Sequence, residues 1–260
     1  MKFHMIQVLF FIVIGLVTSC GPQSLSSVSS VNFYDDHFVK GSTQPEIILD
    51  QGSGVYGSEP WTTAKALERN ALWAAASWFA PGAFGVNAAA HLTHYLDNTG
   101  AARSVDLKEI INTSPTVKSI FTKELRSALK VAHLSTEESL QFTTARTFFG
   151  AVPREESLNW YLAVGGFQAW SSNTLIVITD AEGRLRSRVI SRLYLADRYN
   201  WDKGAVFNVG GMTITGESMG EYHRMGLAKE YDIRGYFMKE ISWTSPEELE
   251  SLLDDQVPLF

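Results

Sequence analysis

Cysteine is almost absent from this chain. Cys20 is the only one in 260 residues, so neither an internal disulfide nor a cysteine-rich metal site can form, and the region beyond it has no thiol nucleophile. Basic residues are also in short supply. The 22 Lys and Arg stand against 28 Asp and Glu, for a formal net charge of −6, and no basic run occurs. That balance argues against nucleic acid as the natural partner. Beyond the first twenty residues no apolar run is long enough to cross a bilayer. Nucleotide and zinc signatures are missing too. Gly165-Gly166 and Gly210-Gly211 stand outside any phosphate-loop pattern, and His91 and His94 are not part of an HExxH motif. Those two histidines share one helix face among alanines, with nothing nearby to complete a metal site, so they are expected to be packing residues. His133, near a helix end, is given no role.

What the chain has is concentrated first at its N-terminus. Lys2 is followed by the apolar run VLFFIVIGLV (8–17), too short for a comfortable span but right for a signal-peptide core. The run ends in Val17-Thr18-Ser19-Cys20, which resembles the lipobox of bacterial lipoproteins. The resemblance implies removal of residues 1–19 as a signal peptide and lipidation of Cys20. With Gly21 rather than Asp next, it also implies an outer-membrane address. The chain is then expected to meet the membrane through its lipid anchor. Residues 20–58 read as a flexible tether and loop, Ser-rich at the start (GPQSLSSVSS) and clearest as a loop at QGSGVYGSEP (51–60).

The remainder is long enough for one large domain or two small ones. It reads as helices first and strands after. From Pro60, Trp61, Ala64, Leu67, Leu72, Ala75 and Phe79 lie close to helical spacing until Pro81-Gly82 breaks the pattern. VNAAAHLTHYLDNTG predicts a second helix, 106–111 a short turn, and SPTVKSIFTKELRSALKVAHL a third helix with Ser114 as cap and Pro115 at its first position. After Ser135, LQFTTARTFFG, LNWYLAVGGFQAW and TLIVITD are aromatic and β-branched and predict strands. The aromatics Trp160, Tyr161, Phe167 and Trp170 suit a core under a curved sheet better than a stacking platform. A hairpin connection at 179–184 leads into the strand RLRSRVISRLYLADRY, which puts Arg184, Arg186 and Arg188 on one face. AVFNVGGMTIT predicts another strand, GESMGEYHRMGLAKEY a short helix, YDIRGYFMKEISW a final strand, and SPEELESLL a terminal helix with a Ser245–Glu248 capping box. This order predicts an α+β fold. Its helical region would cover 59–134. A β-rich region would cover 135–260, as a mainly antiparallel sheet or partial barrel with a short helix inserted and a helix at the C-terminus.

The stretch from Leu193 to Gly235 carries the candidate chemistry. Asp197, Tyr199 and Asp202 follow an apolar strand and precede the turn signal Lys203-Gly204. Glu221, His223 and Arg224 fall on the short helix. Aspartates bind divalent ions through oxygen, so Asp197 and Asp202 are the candidate metal ligands. His223 can move a proton near neutral pH, and Arg224 offers a planar fork for phosphate. Tyr199, with an ordinary pKa of about 10, would orient rather than react. If these side chains converge on one cleft at the strand end, they form a phosphoester-cleaving set. If they do not, DRYNWD is a turn whose acids cap amides and pair with Arg198, while Trp201 fills a core.

Two resemblances bear on this choice. HLTHYLDNTGAARSVDL (91–107), DRYNWDKG (197–204) and GEYHRMGLAKEYDIRG (220–235) are similar to toxin-like domains of bacterial polymorphic toxins. Asp197, Tyr199 and the pair His223-Arg224 are also similar to the Asp-x-Tyr-Asp and His-Arg elements of colicin M-like bacteriocins. That family consists of phosphoesterases acting on the lipid-linked peptidoglycan precursor. Asn200 stands where that pattern has its second Asp, and the gap to His223 is longer here. The resemblances imply an envelope lipoprotein with a toxin-like hydrolase domain. The alternative is a non-catalytic lipoprotein that binds a protein partner through its β-rich half.

Overall fold

The computed structural model describes residues 36–260, apart from positions 79, 202, 210, 211 and 255. Cys20 and Asp202 therefore lie outside the described residues. A short strand, β1 (Phe38–Lys40), comes first, and a loop runs from it to three consecutive helices, α1 (Thr63–Trp78), α2 (Ala80–Phe84) and α3 (Val86–Leu96). α1 ends at Trp78, close to the expected break, and the next short helix takes in Pro81. That proline sits in the first turn of α2, where its missing amide has no partner to lose. α2 gives way to α3 at Gly85, whose φ of 100° few other residues adopt.

β2 (Arg103–Asp106), α4 (Leu107–Thr113) and α5 (Pro115–Leu134) follow. Side chains close the gaps between them. Asp106 accepts from the Glu109 amide at 3.1 Å, and Ser114 accepts from the Val117 amide at 3.2 Å. Each cap satisfies one amide that a helix start leaves without a partner.

The second half contains β3 (Ser139–Thr144), β4 (Phe148–Ala151), α6 (Leu158–Ala163), β5 (Gly166–Thr179), β6 (Leu185–Tyr199), the hairpin β7 (Val206–Val209) and β8 (Met212–Thr215), α7 (Gly216–Arg224), β9 (Tyr231–Trp243) and α8 (Pro246–Leu253). Two strand expectations are corrected here. Residues 158–163 form a helix: the Ser157 hydroxyl caps the Trp160 amide, and burial of Trp160 and Ala163 holds the turn in place. Residues 206–215 form two strands, with Val209 opposite Met212. At α8, Ser245 accepts from the Glu248 amide as expected. The Glu248 carboxylate, however, reaches back one residue further than in a capping box, to the Thr244 amide at 2.8 Å.

The main sheet has the order β1-β3-β5-β6-β9-β2, with β4 also on β5, and every pairing is antiparallel except β2 with β9. With β1 and β2 at its edges the sheet is open, so the α+β class holds and the sheet does not close into a barrel. One face is covered by helices. There Val189, Leu193 and Leu195 of β6 and Phe167 of β5 share a core with Phe121, Leu125 and Leu129 of α5. The opposite face carries a ladder of registered partners, Trp170, Tyr194 and Tyr236, with ring centroids 5.0 and 5.4 Å apart. The aromatics expected in one core are thus divided by the two-residue period of β5: Trp160 and Phe167 are in it, and Trp170 stacks on the far face.

Candidate functional site

β6 delivers Asp197 and Tyr199 to one end of the sheet. Both alternate with Arg198, so they project to the helix-covered face, in line with Leu193 and Leu195. Tyr199 is buried and stacks on Tyr231 of β9, its registered partner, at 5.2 Å between ring centroids. The His91 ring of α3 lies 5.7 Å from that of Tyr199. The Tyr231 hydroxyl is 2.8 Å from His91 Nδ1 and 3.1 Å from the His91 carbonyl oxygen. A hydroxyl carries one proton, so both contacts are satisfied when Nδ1–H donates to the phenol and the phenol donates to the carbonyl. Burial pushes the His91 imidazole down to about 3, with Arg103 and His94 adding to the effect. It stays neutral throughout the physiological range. His94 instead makes a 2.8 Å hydrogen bond to the Ala101 carbonyl.

Asp197 belongs to the edge of this cluster. Ile233 pairs with Asp197 on one side and with Arg103 of β2 on the other, so the acid and the base flank it on the same face. Burial and the Tyr199 phenol, then the Asp197 carboxylate, push the Tyr231 hydroxyl far above its ordinary value, while Arg103 opposes them. Burial likewise raises Tyr199. Neither phenol ionises near neutral pH.

Asp197 and Tyr199 also line a cleft of about 580 Å³ where β5 begins and β6 ends. Its walls include Leu49, Phe149, Tyr161, Val164 and Trp201, and its polar groups include Asp50, Gln168, Arg198 and Asn200. Mostly apolar walls with a few polar groups are the usual make-up of a small-molecule site. Asp50 accepts from Asn200 Nδ2 at 2.5 Å. Arg198 Nη2 donates to Asp232 at 3.3 Å, and its buried Nε has no hydrogen-bond partner among the described residues.

His223 and Arg224, at the end of α7, are engaged elsewhere. His223 Nδ1 accepts from the Glu230 amide at 3.1 Å, which leaves the proton on Nε2, where it donates to the Gly54 carbonyl at 3.2 Å. Arg224 donates from Nε to Glu59 at 2.6 Å, from Nη1 to the Ser53 carbonyl at 3.2 Å and from Nη2 to Glu217 at 3.0 Å. Both side chains therefore hold the 50–59 loop. Glu221, their neighbour on α7, pairs with Lys65 of α1 at 2.9 Å. The loop also reaches the cleft rim, since the Ser53 hydroxyl donates to the Trp201 carbonyl at 3.3 Å. Glu230 secures it by accepting from the Ser53 amide at 2.8 Å. At Gly52, with φ of 66°, any side chain would run into that carboxylate.

Among the described residues no group of three or more His, Cys, Asp or Glu is placed to hold a metal ion. Asp202, the second expected ligand, lies outside them. The sequence does not mark out Asp50, Glu230 or Tyr231, nor the contact of His91 with Tyr231. Asp50 lies in a Gly-rich loop 150 positions before its partner Asn200, and no local pattern marks it.

Comparison with protein families finds no match, and neither does comparison with characterised proteins. Among solved structures, the chain is similar to a colicin M-like bacteriocin produced by Pseudomonas aeruginosa. The identity is 18% and the TM-score 0.31, over 63% of this chain and 53% of that one. The chain spans about half the length of that protein, and the likeness to a bacteriocin toxin is distant.

Proposed function

We propose that this chain is an envelope lipoprotein, anchored through Cys20 in the outer membrane, with a toxin-like domain that hydrolyses phosphoesters at the Asp197 cleft. The observation that carries the reading is the position of Asp197, in the wall of a cleft and on the edge of a rigid, neutral His91–Tyr231–Tyr199 cluster. In this reading Asp197 takes the proton from the attacking water. Water oxygen bonds to phosphorus, the ester P–O bond breaks, and the leaving oxygen is protonated from solvent. A divalent ion, if bound, would be held by Asp197 with Asp202 and would supply charge to the phosphoryl oxygens. Arg198 lines the cleft, whereas Arg224 is held by Glu59, Ser53 and Glu217, so Arg198 is better placed to face an anion. His223 and Arg224 act as positioning residues by fixing the loop that carries Asp50.

Asp197→Ala should lower turnover of bis-p-nitrophenyl phosphate at least about a hundredfold, with or without added magnesium, while leaving the circular dichroism unchanged. Equal turnover by the variant would remove Asp197 from the mechanism. A second reading, a non-catalytic binder, has one observation in its favour: every polar side-chain atom of His223 and Arg224 is already engaged within the chain. Absence of turnover in the wild-type protein across phosphomonoesters and phosphodiesters would favour it. The anchor has its own test. Labelled palmitate should enter the wild-type chain and not Cys20→Ala; equal incorporation into both would refute lipidation there.

A further inference from the structure

Helix α1 packs Leu72 and Ala76 inward, and it also carries an apolar stripe on its outer face. At about 100° per residue, Leu67, Ala71, Ala74 and Trp78 fall within roughly 60° of arc. All four are exposed, Leu67 at 65% and Trp78 at 80%. Trp61, just before the helix, is 59% exposed. Ala76, opposite the stripe, is the helix's one buried residue. On either side of Ala76, facing the protein, are the cations. Lys65 pairs with Glu221 at 2.9 Å, and Arg69 donates to the Leu227 carbonyl at 3.1 Å. A surface helix of a globular protein usually turns charged and polar groups to its outer face. Here the charged groups are spent on docking α1 to α7 and the segment after it, and the apolar stripe is left facing outward.

We propose that this face of α1 lies on a lipid bilayer, with Trp61 and Trp78 in the interfacial layer. The choice of a bilayer rests on the lipid-anchor reading. Asp36, the first described residue, comes sixteen positions after Cys20, and such a segment spans at most about 55 Å even when fully extended. An anchored domain would stay within that distance of the membrane, so a weakly binding apolar face meets lipid at high effective concentration. The stripe itself carries no charge, and Trp rings, apolar with one polar N–H, favour the depth of the lipid headgroups.

The test uses the full protein reconstituted into phosphatidylcholine vesicles, with and without brominated acyl chains. Flotation reads anchoring, and quenching of tryptophan fluorescence reads docking. Brominated lipid should lower the emission by about a quarter, in line with two of the seven tryptophans lying in the interface. That loss should disappear in a Trp61→Phe, Trp78→Phe variant and in Leu67→Ser, both of which should still float and keep the wild-type circular dichroism. Flotation without quenching would overturn the docking and leave the anchor standing. Failure of the wild-type protein to float would overturn both. Self-association that Leu67→Ser abolishes, without quenching, would assign the face to a second copy of the chain and overturn the proposal.

Discussion

Acidification from pH 6.5 to 3 should cost this protein roughly 4 kcal/mol of stability through His91 alone. In the unfolded chain the imidazole takes up a proton below about pH 6.5. In the folded protein burial delays that uptake to about 3. Between those values the unfolded state holds up to one more proton than the native state, so stability falls as the pH falls, by at most about 1.4 kcal/mol per unit. The cause is steric as well as electrostatic. The ring is 2% exposed, packed under Tyr231 and Tyr199, with Arg103 and His94 near enough to disfavour a charge. Urea midpoints at pH 6.5, 5.5 and 4.5 for the wild type and His91→Gln measure it. Over that range the wild type should lose about 2 kcal/mol more than the variant. Parallel losses in the two proteins would show that His91 does not carry the acid limb.

Phe121→Ala should cost about 4 kcal/mol and lower the melting temperature by roughly 12 °C. Phe121 is fully buried in the middle of α5. Its ring lies 6.1 Å from that of Phe148 and 6.4 Å from that of Phe167, so it joins the helix to both β4 and β5. Truncation removes apolar burial and leaves a cavity between a helix and a sheet that cannot both close over it. Phe149→Ala is the control. That ring is 73% exposed, and its loss should change stability by no more than about 0.5 kcal/mol. Equal effects of the two substitutions would mean that α5 is not seated on the sheet as described.

Local chemistry makes some elements legible in the sequence. The α5 start follows from Ser114-Pro115, a side-chain cap and a residue with no amide to waste. β9 runs from Tyr231 to Trp243, the stretch expected from its composition. In each case the deciding interactions span a few residues, and a sequence window contains them. Residues 158–163 mislead for the opposite reason. LNWYLA has strand-like composition, and only the Ser157 cap and the burial of Trp160 turn it into α6. The apolar spacing of α1 is legible as a helix, but spacing cannot say which way a stripe faces. Lys65 and Arg69 decide that by finding Glu221 and the Leu227 carbonyl.

The sequence by itself determined the α+β order and put Asp197 and Tyr199 at the end of a strand, because strand period and turn residues act over short distances. The tertiary structure alone decided what surrounds them. It set His91 and Tyr231 beside Tyr199, brought Asp50 to Asn200, and committed His223 and Arg224 to the 50–59 loop. The hydrogen bonds among those contacts join residues from 140 to 171 positions apart. A hydrogen bond between such residues exists only after the packing of the sheet and helices has brought them together, so nothing in the local chain could specify it.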